Sequence, residues 1–193
     1  MRSFEFARKF VDGKVVEGSV AYESAQIPMY MERTAAGADF FAAEETVIPS
    51  IWSSVARLFI QDTVGKLKNW MDSFNHSSGE PEATVDIKPT LVHTGIKAQM
   101  ESDEVLYLYN RSSNPKRGLI LANGVGVIDS EYYNNESNDG EILFAFYNIK
   151  PWSVKIVVGD RIGQGVFAKF LRPEVNLRVN DVKRGGGIGS TGR

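Results

Sequence analysis

The run LILANGVGVIDSEYY, residues 119–133, constrains this chain more than any other stretch: two apolar segments flank Asn123-Gly124, and the second ends on a lone acid among aromatics. Asn-Gly supplies the positive φ angles of a two-residue turn, and Val125, Val127 and Ile128 are β-branched, so the run predicts a β-hairpin. Gly126 would let a ligand approach the backbone. Asp129 stands where the apolar pattern stops, so its carboxylate should emerge at the strand's end. A hairpin with an acid at its rim can be the wall of a pocket, and it can equally be an ordinary hairpin with a solvated Asp.

The rest of the chain reads as strands interrupted once. Residues 1–27 alternate loosely around Asp12-Gly13 and predict one or two strands joined by a turn. Small residues surround Asp39 in AGADFFAAE, which points to tight packing beside that acid or to a turn. From Ser50 the spacing changes: Ile51, Val55, Leu58, Phe59, Leu67, Trp70, Met71 and Phe74 recur at helical intervals, with Ser50 after Pro49 as N-cap. Residues 50–87 therefore predict a helical insertion, whose apolar stripe faces the chain's own core or a protein partner. Strand patterns resume after residue 84 and continue through VLYLYN, EILFAFYNI, WSVKIVV and GDRIGQGVF. In the last of these, Arg161 and Gln164 lie in an otherwise buried strand and need polar partners. Arg111-Ser112-Ser113 at the exit of VLYLYN offers a cation and two hydroxyls, a phosphate grip or a simple turn. Residues 177–193 carry five glycines between Gly185 and Gly192, beside Ser190 and Thr191. Such an arm cannot hold one conformation by itself, but its N–H groups and hydroxyls could order around phosphates.

Several chemistries are excluded. With no cysteine there is no thiolate nucleophile, disulfide or Cys-based zinc site, and the absence fits a cytoplasmic protein. His76 and His93, 17 positions apart, do not form the usual zinc or Ser-His-Asp patterns, so any metal must be held by oxygen. A net charge of −2 with dispersed basic residues gives no field for nucleic acid. No apolar run approaches the ~20 residues of a membrane helix, and the first ten residues lack the apolar core of a secretory signal. One domain spanning 1–193 is expected.

The order of AGADFFAAE, NRSS, ANGVGVIDSEYY, GDRIGQGVF and RGGGIGSTG resembles the five motifs of the trimeric dUTPases. The resemblance implies a mainly β, jelly-roll-like barrel of the β-clip type with an inserted helical segment. It also implies a homotrimer with active sites at subunit contacts, each covered by the C-terminal arm. The implied reaction is Mg²⁺-dependent hydrolysis of dUTP to dUMP and pyrophosphate, which limits uracil in DNA and supplies dUMP. By position, Asn123 and Gly126 correspond to the uracil-reading turn. Tyr132 corresponds to the aromatic on the deoxyribose, and Asp129 to the acid that positions the attacking water. Arg111, Ser112, Ser113 and Gln164 correspond to phosphate contacts. Arg184, Ile188, Ser190 and Thr191 belong to the arm, and Asp39 corresponds to an acid that supports the metal's hydration shell or the local structure.

The chain also departs from the family pattern. Ile188 stands where the arm usually carries a base-stacking Phe, Gly163 replaces the customary Ala, and His93 occupies a position where Pro is common. NNESND intervenes between Tyr133 and Gly140-Glu141, lengthening a loop beside the site. Two other functions compete: a regulatory, partner-binding relative using the insertion, and a dCTP deaminase. The deaminase pattern requires a Glu where this chain has Ala145.

Overall fold

The computed structural model describes residues 1–53, 55, 56, 60, 63 and 87–173. Most of the 50–87 insertion and all of the 177–193 arm lie outside them. Ile51–Ser53 are helical, and Ser50 caps them as its sequence position predicts: its Oγ accepts from the Trp52 N–H at 3.1 Å and donates to the Lys150 carbonyl at 2.5 Å.

The described chain is mainly β. Its largest sheet has the strand order β10 (Gly126–Asp129), β8 (Glu104–Asn110), β13 (Arg161–Lys169), β4 (Ala38–Phe41). A second sheet runs β6 (Thr90–His93), β11 (Leu143–Asn148), β9 (Leu119–Leu121). Three two-stranded pairs complete the wall: β1 (Ser3–Phe6) with β7 (Ile96–Gln99), β5 (Thr46–Ile48) with β12 (Val154–Ile156), and β2 (Phe10–Val11) with β3 (Lys14–Val15). The sheets enclose one core, in which Phe40, Val92, Leu106, Phe144, Phe146, Ile156 and Ile162 are almost wholly buried. In β11 the alternation is clean, with Phe144, Phe146 and Asn148 inward and Leu143, Ala145 and Tyr147 less buried. Among the described residues no helix is long and apolar enough to cross a membrane.

The expected hairpin at Asn123-Gly124 is corrected. Its two arms do not pair with each other: β9 joins β11, with Leu121 opposite Phe146, while β10 joins β8, with Gly126 opposite Leu108. Only Gly124 has a positive φ, +69°, whereas the two-residue hairpin turns need one at the first central position, here Asn123, and type I′ needs one at both. The Gly124 N–H donates to the Leu121 carbonyl and the Val125 N–H to the Asn123 carbonyl, at 3.0 and 2.8 Å. The segment is a corner that carries the chain from one sheet to the other, because each apolar arm finds a better partner across the core than in its neighbour.

Gly126 has a reason of its own. A Cβ there would stand 2.9 Å from the Leu108 Cβ, so its missing side chain admits the neighbouring strand. At Gly163 a Cβ would fall 1.9 Å from the Phe144 ring. Gly163 is thus matched by a bulky aromatic that uses the space a Cβ would fill.

Candidate functional site

Strand register assembles one group of sequence-predicted residues. In β13 Gln164 stands opposite Asp39 of β4 on one side and Tyr109 of β8 on the other, and Arg111 lies one residue beyond the end of β8. Asp39, only 1% exposed, receives the Gln164 amide at 2.9 Å, an Arg161 guanidinium nitrogen at 3.2 Å and the Arg111 Nε at 3.4 Å. A buried carboxylate must be paired, and here it is over-paired: two guanidiniums share one acid. The excess positive charge lies toward solvent, since the Arg111 and Arg161 side chains are 21% and 42% exposed. Arg111 also donates to the Arg161 carbonyl at 3.3 Å, so the two cations are held side by side.

The loop after β8 is built to keep Arg111 there. The Asn114 N–H closes a turn onto the Arg111 carbonyl at 3.0 Å. Buried Asn114 then donates through Nδ2 to Asn110 Oδ1 and to the Ile162 carbonyl, at 2.6 and 2.7 Å. Pro115 starts a single helical turn, α1 (Asn114–Arg117), and Gly118, at φ +83°, ends it. Ser112 and Ser113 are left exposed beside Arg111. Sequence reasoning missed Asn110 and Asn114; an Asn just before a helix-starting Pro was the available signal.

A second group forms at the other end of the same sheet. β10 is an edge strand that runs antiparallel to β8, and its last residue, Asp129, is exposed opposite Val105. Asn123 and Val125 are exposed on the corner that precedes β10, which the antiparallel register places toward the Arg111 end of β8, and Val127, between the two ends, is 58% exposed. A 3₁₀ turn, Ser130–Tyr132, follows at once and brings Tyr132 beside Asp129. The Tyr132 hydroxyl donates to the Glu141 carbonyl at 3.2 Å and accepts from Asn138 at 3.0 Å. Burial raises its pKa above the ordinary 10, which keeps the phenol neutral.

The structure does not bring these two groups together within one chain. Val105, opposite Asp129, and Arg111 are six residues apart along β8 and its exit, on the order of 20 Å. Neither side chain spans that gap. Arg184, Ile188, Ser190 and Thr191 of the arm lie outside the described residues, as does His76.

The resulting parts are an exposed carboxylate next to a main-chain edge and a tyrosine, and a distant pair of arginines with an amide and two hydroxyls. The first set can hold a planar base and direct a water molecule; the second can hold anionic oxygens. Ala145 lies in β11 opposite Leu91.

Comparison with known proteins gives these parts a family. The dUTPase family model matches residues 80–192, more than half of the chain. A deoxyuridine 5'-triphosphate nucleotidohydrolase from Lactococcus lactis is 46% identical over 127 residues, covering 62% of this chain and 85% of that protein. The crystal structure of a dUTPase from Streptococcus mutans superposes with a TM-score of 0.61 at 33% identity, covering 89% of this chain and 98% of that one. At the level of fold alone, a point mutant of the dUTPase from Staphylococcus aureus phage phi11 aligns with a TM-score of 0.56 at 14% identity, covering 94% and 98% of the two chains. This chain belongs to the dUTPase family, the dUTP diphosphatases.

Proposed function

We propose that the chain hydrolyses dUTP to dUMP and pyrophosphate in the cytoplasm, as a homotrimer whose active sites each draw on more than one copy. The observation that supports the reading is the separation along β8: the acid end and the arginine end suit the same nucleotide but stand on the order of 20 Å apart in one chain. Closed threefold assembly, as in the trimeric dUTPases that the motifs resemble, would lay one copy's Arg111 beside another's Asp129.

In this reading the outer edge of β10 and the Asn123 corner meet the uracil through main-chain groups. Cytosine, with donor and acceptor exchanged, would leave those groups unpaired, a strong basis for rejection. Tyr132 packs on the deoxyribose. Asp129 orients a water molecule and accepts its proton as the water oxygen bonds to the α-phosphorus; the bond from that phosphorus to the bridging oxygen breaks, and pyrophosphate leaves. Arg111, Gln164, Ser112 and Ser113 stabilise charge on the phosphate oxygens. Asp39 orients Arg111, Arg161 and Gln164, a role that suits its buried, fully engaged carboxylate better than contact with a hydrated metal. Arg184, Ile188, Ser190 and Thr191 would close over the nucleotide.

Among the described residues no three of His, Asp and Glu converge as a metal-holding group. Mg²⁺ in this reading would be carried by the triphosphate oxygens, with water completing its shell. Mg²⁺ bound in that way supplies neutralisation of phosphate charge.

The test is direct. Purified protein with Mg²⁺ should release pyrophosphate from dUTP and far less from dCTP, dTTP or UTP, and removing residues after Val182 should weaken turnover while the fold survives. Equal release from dCTP, or none from dUTP, would refute the reading.

A further inference from the structure

The loop that lengthens the chain after Tyr133 is tied to the site more closely than a surface insertion needs to be. Asp139 is fully buried and receives the Arg8 backbone N–H at 2.8 Å, the Arg8 guanidinium at 2.5 Å and the Lys97 ammonium at 2.9 Å. Lys97 lies in β7, so a charge cluster anchors the far end of the loop to the barrel. The near end closes on Tyr132. The tyrosine's carbonyl accepts from Asn135 Nδ2 at 3.1 Å, and its hydroxyl accepts from Asn138 Nδ2 at 3.0 Å. Between these points the loop supports itself: Asn135 Oδ1 accepts from Ser137 N–H at 2.9 Å, and Asn138 Oδ1 accepts from Asn135 Nδ2 at 2.8 Å and Gly140 N–H at 3.2 Å. Gly140, at φ +81°, approaches so closely that a Cβ would stand 2.6 Å from the Tyr132 carbonyl oxygen. Asn134 and Asp139 also hold left-handed backbone, at φ +56° and +58°. Such conformations persist only where the surroundings impose them.

We propose that this loop, through Asn138 and with Asp139 as its anchor, fixes the Tyr132 ring against the sugar and so sets how strongly a ribonucleotide is refused. The inference rests on the reading of Tyr132 as the sugar-facing residue and adds the positioning residues that make the ring a rigid wall. A ring held only by packing can tilt to admit a 2′-hydroxyl; a ring tied at its hydroxyl, on a residue whose backbone carbonyl is also held, cannot do so without breaking part-buried hydrogen bonds. Steric refusal of one added hydroxyl is worth on the order of a hundredfold at best, so a modest loosening should be visible in the substrate ratio.

Asn138→Ala tests this, because it removes the Nδ2 that donates to the Tyr132 hydroxyl and to the Glu141 carbonyl and leaves nothing in its place to which the phenol can donate. The preference for dUTP over UTP in kcat/KM should fall about tenfold, chiefly through better use of UTP. In a chain carrying ¹³C-labelled tyrosine, the Tyr132 side chain should also show a lower order parameter than in the parent. Tyr132→Phe, which removes the hydroxyl and keeps the ring, should shift the ratio in the same direction and serves if the first variant does not fold. An unchanged ratio with a freed ring would overturn the role in selectivity. An equal loss for both nucleotides with a lowered Tm would reduce the loop to a structural support and overturn the proposal, as would an unaltered ring. If the parent turns over no dUTP at all, the functional reading fails; relative binding of non-hydrolysable dUTP and UTP analogues, with the ring measurement, then decides the inference.

Discussion

The two ends of β8 carry opposite chemistry by opposite means. At the Arg111 end a buried acid is surrounded: Asp39 fixes two arginines and an amide, and the loop that follows is fastened by Asn114. At the Asp129 end the acid itself is exposed on an edge strand, and the fastening lies one step away, in the loop around Tyr132. A group that grips phosphate must be held still before the ligand arrives, since its cations would otherwise swing into water. A group that aims water must instead face the solvent from which the water comes. The difference teaches that rigidity at the acid end is delegated to neighbours, while at the arginine end it resides in the functional residues themselves.

The sharpest break in that comparison comes from chemistry. Asp129→Asn should cut kcat for dUTP by about 10²–10⁴-fold with nucleotide binding retained, and Arg111→Ala should cut kcat/KM by about 10²-fold. Steady-state kinetics with a binding titration checks both. Co-refolding the two inactive variants should then restore activity, because an intact acid end from one chain meets an intact arginine end from another. Recovery of no activity in the mixed assembly would mean that both ends serve separate sites. Smaller, and confined to the arginine end, is Asp39→Asn. It leaves two guanidiniums without their shared counter-charge and should lower stability by about 1–3 kcal/mol, with a raised KM; denaturant unfolding and kinetics read the two effects. Gly163→Ala, which forces a methyl into the Phe144 ring, should destabilise by about 1–3 kcal/mol and leave KM unchanged.

The weakest effect is expected at the acid end. His93 bonds to Glu141, whose carbonyl accepts from Tyr132, and that hydrogen bond raises the imidazole pKa above its ordinary 6.5 despite partial burial. Because the folded value lies above the unfolded one, its contribution to stability is complete below about pH 6.5 and disappears as the pH rises through the raised value. Thermal unfolding across pH 5–9 should show that decline in the parent, and His93→Gln should flatten it.

How much of this could be seen in the sequence depended on whether the signal was local. Asp12-Gly13 and Asn123-Gly124 look alike on paper. The first is a true two-residue hairpin turn, with φ of +49° and +77° and Val11 paired to Lys14, as its flanks suggested. The second turns a corner, because the strands on either side are claimed by β11 and β8, from distant parts of the chain. Arg161 and Gln164 announced a need for partners in a buried strand, and Asp39 is that partner; the strand register that joins them is a long-range fact no local pattern contains. The cap at Ser50 was legible because a cap is made within a few residues. Asp139 was not, since an acid in a polar run such as NNESND gives no sign that Arg8 and Lys97, far away in sequence, will bury it. Gly163 could be noticed as a departure, but its cause, the Phe144 ring, requires knowing that two strands face each other across the core.

Because β8 is the common neighbour of β10 and β13, its amide protons belong to both half-sites at once. As an edge strand β10 can fray while β8 stays paired to β13, so hydrogen exchange should be faster in β10 than at the β8 amides that face β13. The ladder that seats Gln164 would thus outlast the one that carries Asp129.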